Sequence, residues 1–211
     1  MTTERRKKSR RARRARRANR IFKMTTILVL VLALGALGLW MLFDSHPEIS
    51  VQNYPVEYES LIRTYAEANG IPPAYVASVI LAESSYRPDA VSSANAQGLM
   101  QLLPTTAEWI AGKFDETYVE NCLFDPETNI RYGCWYLGFL MKRYDGDMRC
   151  SSAAYHAGQG TVDKWLENPE YSSDGKTLSK INSNATDTYV TRVLKYYEKY
   201  SEIYAQDAQT A

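Results

Sequence analysis

Glu83 stands where a carboxylate has no ordinary reason to be. It closes the run Pro72-Pro73-Ala74-Tyr75-Val76-Ala77-Ser78-Val79-Ile80-Leu81-Ala82-Glu83-Ser84. Read as a helix, Val76, Val79 and Ile80 share a face at the i, i+3, i+4 spacing, and Glu83 falls on that same face. A carboxylate on an apolar face is costly unless it is paired or protonated. Burial beside Val79 and Ile80 disfavours the charged form. The negative end of the helix acts in the same direction. A carboxyl group held protonated near neutral pH is suited to general-acid chemistry. Arg87 could pair with it, but the turn expected before Pro88 directs that side chain elsewhere. Asp89 is the next acid in sequence, and other acids can approach in the fold. A two-carboxylate hydrolytic site therefore stays open as an alternative.

The elements around Glu83 read as helices almost throughout. The pattern predicts a helix from Pro55 to Asn69 stopped by Gly70, and a second from Pro73 to Ser84. Asp89 to Gly98 is a small polar loop. Thr105-Thr106-Ala107-Glu108 matches a capping box opening a helix through Trp109 and Ile110. Asp125-Pro126 opens the next helix, with the stripe Ile130, Cys134, Leu137, Met141 and Tyr144, and Asp145-Gly146 ends it. A short helix covers Cys150 to Ala157. Gly158 and Gly160 break it, and Thr161 caps a turn through Trp165. Glu167 to Ala185 reads as a surface loop, and a last helix runs from Asp187 toward Tyr204. Trp109, Trp135 and Trp165 are most simply core. No stretch shows sustained strand alternation, so the expected fold is a mostly α domain.

Charge divides the 211-residue chain sharply. The first 23 residues hold 12 Lys and Arg and one acid, Glu4, a charge of +11; the whole chain is +1, so the remainder carries −10. Residues 24–43 contain no charged side chain. Twenty such residues at ~1.5 Å each span a hydrocarbon core of about 30 Å. The stretch is longer than a signal-peptide core, and Trp40 suits an interfacial position, so an uncleaved transmembrane anchor is the preferred reading. Cleavage between Ala33 and Ala36 is the alternative. The positive-inside rule puts the basic arm, 1–23, in the cytoplasm and the body outside. No aromatic residue is interleaved with the arginines, so no nucleic-acid partner is expected; contact with lipid headgroups is. The resulting division is arm 1–23, anchor 24–43, linker 44–54, catalytic domain 55–205 and tail 206–211.

Cys122, Cys134 and Cys150 allow one disulfide with a thiol left over, in any of three pairings; Cys134 could instead be a small core residue. With His46 and His156 the only histidines, no zinc spacing is present, and no metal or cofactor is expected.

Three further segments accompany Glu83-Ser84: Gly98-Leu99-Met100-Gln101, Ala153-Ala154-Tyr155-His156-Ala157-Gly158, and Tyr189-Val190. In this order and spacing the set resembles the soluble lytic transglycosylase family, over about Pro55 to Tyr204. The longest part of the resemblance runs from Glu83 through Ser92 and from Gly98 through Ala107. It implies a goose-type lysozyme-like fold and cleavage of the β-1,4 bond between N-acetylmuramic acid and N-acetylglucosamine in peptidoglycan. It implies Glu83 as the single acid and then base, closing a 1,6-anhydro ring without consuming water. Ser84 would hydrogen-bond near the acid and substrate, Met100 and Gln101 would line the sugar cleft, and Tyr155 and Tyr189 would border the acid. Aromatic faces and amides suit sugar rings and N-acetyl groups. Two positions depart from the pattern. His156 stands where the family most often carries Asn, and a protonated His156 beside Glu83 would lower its pKa. Ala185-Thr186 stands where a Glu-Thr pair is common. A non-catalytic glycan-binding scaffold would have the same cleft without needing the acid.

Overall fold

The structure, a computed structural model, describes residues 54–210, with side chains described from 54 to 206. The basic arm, the anchor at 24–43 and all but the last residue of the linker lie outside the described residues. Among the described residues, no helix is long and apolar enough to cross a membrane.

Seven α-helices are described: α1 Glu59–Asn69, α2 Pro73–Glu83, α3 Pro104–Ala111, α4 Pro126–Arg143, α5 Met148–Ala157, α6 Gln159–Leu166 and α7 Asn184–Thr210, with a 3-10 turn at Cys122–Phe124. Two isolated antiparallel bridges, Val91 to Gln97 and Gln97 to Leu102, fold the segment between α2 and α3 onto itself.

Helix α2 is the centre of the domain. The sequence pattern assigned it one apolar face, but every residue from Ala74 to Ile80 is buried. The reason is tertiary: α7 packs along α2, and α1 covers another side. Burying Val79 and Ile80 contributes ~1.5–3 kcal/mol each. The polar atoms inside this stretch are paired. Ser78 Oγ donates to the Tyr75 carbonyl at 2.7 Å, and the Tyr75 hydroxyl pairs with Ser152 Oγ at 2.9 Å.

Several element boundaries differ from the sequence pattern for local reasons. Helix α1 starts at Glu59 rather than Pro55, because Tyr58 sits in the left-handed region at φ 57°. The Tyr200 hydroxyl donates to the Pro55 carbonyl at 2.8 Å, holding that segment on α7. The Thr105–Glu108 capping box does not form. Pro104 takes the first helical position of α3, so Thr105 lies inside the first turn and Leu103 precedes it without a side-chain cap. In α4 the expected signal holds: Asp125 Oδ2 accepts from the Thr128 N–H and hydroxyl, both at 2.8 Å. Asp147 caps α5 by accepting from the Cys150 N–H at 2.7 Å, which starts that helix two residues early. Gly158, at φ 84°, precedes α6 in place of Thr161.

The 167–185 segment is not purely surface, since Leu178 and Ile181 are buried in the main core. All three cysteines are free, and Cys134 is buried on the α4 stripe. Trp165 is buried, but Trp109 is 39% exposed, contrary to the core role expected of it.

The apolar interior has two parts. The main core joins α1, α2, α4, α5, α6 and α7; a smaller one consists of Leu102, Ala107, Ile110, Ala111, Leu123 and Tyr132. Tyr136 and Tyr155 pack against both.

Candidate active site

Glu83 is the last residue of α2, at the point where the buried helix meets a sharp turn. Ser85 and Tyr86 both adopt left-handed backbone, at φ 53° and 62°. The turn therefore comes before Arg87-Pro88, and Arg87 Nε donates to the Ser84 carbonyl at 3.0 Å instead of meeting Glu83. A cleft of about 480 Å³ opens beside Glu83, lined among others by Gln101, Leu103, Tyr136, Tyr155 and His156. Among the described residues Glu83 is the only acid lining it, and Asp89 is exposed elsewhere. A larger concavity of about 730 Å³, bounded by Arg143, Asp163 and Lys176, contains none of the expected site residues.

The Gly98–Gln101 loop is held from behind by Asn129, a fully buried residue of α4. Asn129 Oδ1 accepts from the Met100 N–H at 2.8 Å. Its Nδ2 donates to the carbonyls of Gln97, at 2.9 Å, and Leu123, at 2.8 Å. Gly98 has φ 74°, and a Cβ there would overlap the Leu123 carbonyl and the Asn129 side chain. Gln101 is left-handed at φ 48°, and its Nε2 donates to the carbonyls of Ala90 and Gly98 at 3.0 Å each. The Tyr155 hydroxyl donates to the Met100 carbonyl at 2.7 Å, tying α5 to the loop.

The expected site residues thus separate by depth. Glu83, Gln101, Tyr155 and His156 face the cleft. Met100 is fully buried with its side chain against Gly133, so it shapes the loop from beneath. Ser84 is also buried, and its Oγ turns back to the Ile80 carbonyl at 3.3 Å. Tyr189 is buried, close enough to Glu83 to influence it.

Burial pushes the Glu83 carboxyl from its ordinary 4.5 up to about 7; the Tyr189 hydroxyl and the Arg192 guanidinium work in the opposite direction. The buried Tyr189 hydroxyl has no partner in full hydrogen-bond geometry, yet it lies near enough to Glu83 for each to shift the other. Such catalytic contacts are often long before substrate binds. Burial and the Glu83 charge hold the Tyr155 and Tyr189 phenols well above their ordinary value, so both are neutral.

Arg192 is placed by the end of α2. Its Nη2 donates to the Ala82 carbonyl at 3.2 Å, and its guanidinium carbon lies 5.9 Å from the Tyr189 ring centroid. A cation is favourable at a helix C-terminus. Among the described residues it makes no ion pair with Glu83, so it tempers the carboxyl without ionising it fully.

His156 does not act on Glu83 as the sequence suggested. Burial first, and Arg192 second, push its pKa below the ordinary 6.5, so the ring is neutral at pH 7. Nδ1 lies 3.2 Å from Thr186 Oγ1, which itself donates to Ser183 Oγ at 3.1 Å. Thr186 therefore accepts from Nδ1–H, and Nε2 is left as an acceptor. The ring also lies against Tyr189, with centroids 4.6 Å apart.

Residues 60–178 match the family described as Transglycosylase SLT domain. The chain belongs to this family. It is 34% identical over 148 residues to the soluble lytic murein transglycosylase of Escherichia coli K12, covering 69% of this chain and 23% of that protein. It is 30% identical over 177 residues to the membrane-bound lytic murein transglycosylase C of Actinobacillus pleuropneumoniae, covering 70% of this chain and 46% of that one. The chain thus matches about a quarter of the soluble relative's length and under half of the membrane-bound one's. Among solved structures it is similar to an inactive glutamate-to-glutamine mutant of the lytic transglycosylase Slt from Pseudomonas aeruginosa. The TM-score is 0.64 at 28% identity, covering 72% of this chain and 25% of that one. These likenesses fit the mostly helical, lysozyme-like architecture of the described residues.

Three residues of this SLT domain escaped the sequence reading. Arg192 had one available signal: it follows Tyr189 by three positions on α7, which puts both on one side of the helix. Asn129 adjoins Ile130 on α4, and an amide next to a buried stripe is a candidate for pairing backbone. Tyr136 sits between Trp135 and Leu137 and reads as ordinary packing until the cleft is seen.

Proposed function

We propose that this SLT domain is a peptidoglycan lytic transglycosylase, with Glu83 as its sole acid and base. The Glu83 carboxyl gives its proton to the glycosidic oxygen as the bond from the N-acetylmuramic acid C1 to that oxygen breaks. N-acetylglucosamine leaves with a free 4-hydroxyl. The muramic acid C6 oxygen then bonds to C1, and its proton passes to the Glu83 carboxylate. One C–O bond replaces another, the acid is restored, and no water is consumed.

The observation that carries this reading is a single carboxyl group in the cleft with a pKa near 7. Such a group gives and takes a proton at neutral pH with equal ease. Tyr189 and Arg192 steady the carboxylate between the two transfers. Gln101 and Tyr155 supply neutral polar contacts along the cleft, and Ser84 and Met100 fix the backbone that presents them. His156 offers Nε2 as an acceptor in place of an amide. A hydrolase commonly uses a second carboxylate to hold water or form an intermediate, and the cleft lining among the described residues supplies none.

In this reading the segment 24–43 anchors the protein in the membrane, with the N-terminus in the cytoplasm and the domain outside. The charge asymmetry across that segment and the membrane-bound relative support it. A linker of about ten residues reaches at most ~35 Å, which limits cleavage to glycan strands close to the membrane. The test is digestion of purified sacculi by wild type and by Glu83→Gln. The variant is expected to keep its helical fold and lose digestion by at least a thousandfold (about 10³). Wild-type-like digestion by it would remove Glu83 from the role of acid.

A further inference from the structure

Among the described residues lining the cleft, His156 is the one group besides Glu83 whose charge can change near neutral pH. Its ring is fixed from two sides. Nδ1–H donates to Thr186 Oγ1 at 3.2 Å, and the ring packs on Tyr189 with centroids 4.6 Å apart. The bond to the buried Thr186 turns Nε2 away from that side. The groups around the ring leave a positive charge there unbalanced. From α2, Glu83 shares the cleft, and from α7, Arg192 acts on both Glu83 and the ring. The phenols of Tyr136 on α4, Tyr155 on α5 and Tyr189 on α7 are all held neutral by burial. Asp187, one position after Thr186, is engaged by Arg149 at 3.1 Å, and Asp163 on α6 by Arg143 at 2.6 Å. Ala185, Tyr189 and Arg192 follow the i, i+4, i+7 spacing of one helix face. Ala185 brings no acid to that face, where a Glu is common in the family.

We propose that His156 is a charge gate on the cleft: glycan cleavage proceeds only while its ring is neutral, and a proton on Nε2 stops the reaction. The inference rests on the reading of the cleft as a glycan-cleaving site. Breaking the glycosidic bond builds positive charge at the sugar C1, in an oxocarbenium-like transition state. Arg192 is already one positive group beside Glu83, and a second in the cleft repels that developing charge. A second cation also favours the ionised form of Glu83, which weakens it as the base toward the C6 hydroxyl. At the same moment Nε2 changes from acceptor to donor, so a substrate hydroxyl or acetamido N–H that donates to it loses its partner. An amide in this position has no such charged state. The two titrations bracket the working form. As pH falls, Glu83 gains the proton it must give at about 7. His156, held below its ordinary 6.5 by burial and by Arg192, gains the blocking proton further down. Activity therefore occupies a window, with an alkaline limb from Glu83 and an acid limb from His156.

The experiment uses the full chain in detergent micelles. Release of anhydro products from peptide-free glycan strands is followed as kcat/KM from about pH 4 to about pH 9. Wild type, His156→Asn and His156→Gln are compared, each profile scaled to its own value at pH 7. Wild type is expected to fall about tenfold per pH unit below the acid midpoint. Both amide variants are expected to lose that limb, staying within about threefold of their pH 7 value down to about pH 4, and to keep the alkaline limb. A merely structural His156 would lower the whole profile without removing one limb. Nitrogen NMR of the free wild type supplies the second readout. The chain has only two histidines, His46 and His156, so the His156 signal is the one that His156→Asn removes. It is expected to be the Nδ1–H tautomer at pH 7 and to titrate at the midpoint of the acid limb. An acid limb that persists in both variants, or a ring already protonated at pH 7, overturns the gate while leaving Glu83 as the acid. Absence of anhydro product from wild type at every pH overturns the glycan-cleaving reading itself.

Discussion

Glu83 makes the stability of the domain depend on pH in a way that one amide substitution should erase. Its carboxyl has an ordinary pKa of 4.5 and a folded value of about 7, set mainly by burial. The folded protein therefore holds this proton more tightly than the unfolded chain. The stabilisation is fully present below pH 4.5 and is lost as pH rises to about 7. At ~1.4 kcal/mol per tenfold in proton affinity, the displacement amounts to ~3 kcal/mol. Glu83→Gln keeps the shape and removes the charge. Its stability relative to wild type should be nearly unchanged below pH 4.5. It should then rise by ~1.4 kcal/mol per pH unit and level off at ~3 kcal/mol in the variant's favour above about pH 8. Urea unfolding of both proteins, followed by circular dichroism across this range, gives the difference directly. A difference that is constant with pH, or wild type the more stable at high pH, would refute burial as the cause of the shift.

Two other substitutions follow from the geometry. Arg192→Ala removes a charge that lowers the Glu83 pKa. The alkaline limb of the pH–rate profile, expected near pH 7, should move upward by as much as about one unit; a limb that stays or moves down contradicts the role given to Arg192. Gly98→Ala forces a Cβ onto a backbone carbonyl at a positive φ. It should cost ~2–4 kcal/mol in thermal or urea unfolding, and a neutral effect would mean that the loop packs differently.

The helical character of the domain was legible because each helix carries its own periodicity and punctuation. Asp125-Pro126 and Gly70 act locally, and their elements begin and end as expected. Glu83 was legible because a charge on an apolar face is a conflict visible in sequence. What stayed hidden depends on partners far along the chain. Helix α2 looked one-sided, but α7, more than a hundred residues later, packs along it, and every residue from Ala74 to Ile80 is buried. Thr105 satisfied a capping pattern that Pro104 pre-empted. His156 was legible as a cleft residue but not as a neutral one, since its state depends on burial and on Arg192. Arg192 shares a side of α7 with Tyr189 by spacing, but its partner, the Ala82 carbonyl, is a backbone group at the end of another helix and carries no sequence signal. Trp109 shows the converse: an apolar residue at helical spacing reads as core unless the surface opposite it is known.

The proposed reaction needs one carboxyl group and an intramolecular ring closure. The most direct measurement is mass spectrometry of muropeptides released from purified sacculi in heavy-oxygen water, with wild type and Glu83→Gln. Wild type should release 1,6-anhydro ends, lighter by one water than hydrolysis products and free of the heavy label, and the variant should release none. Labelled reducing ends from wild type would contradict it, and would mean that a water held by a second group completes the reaction.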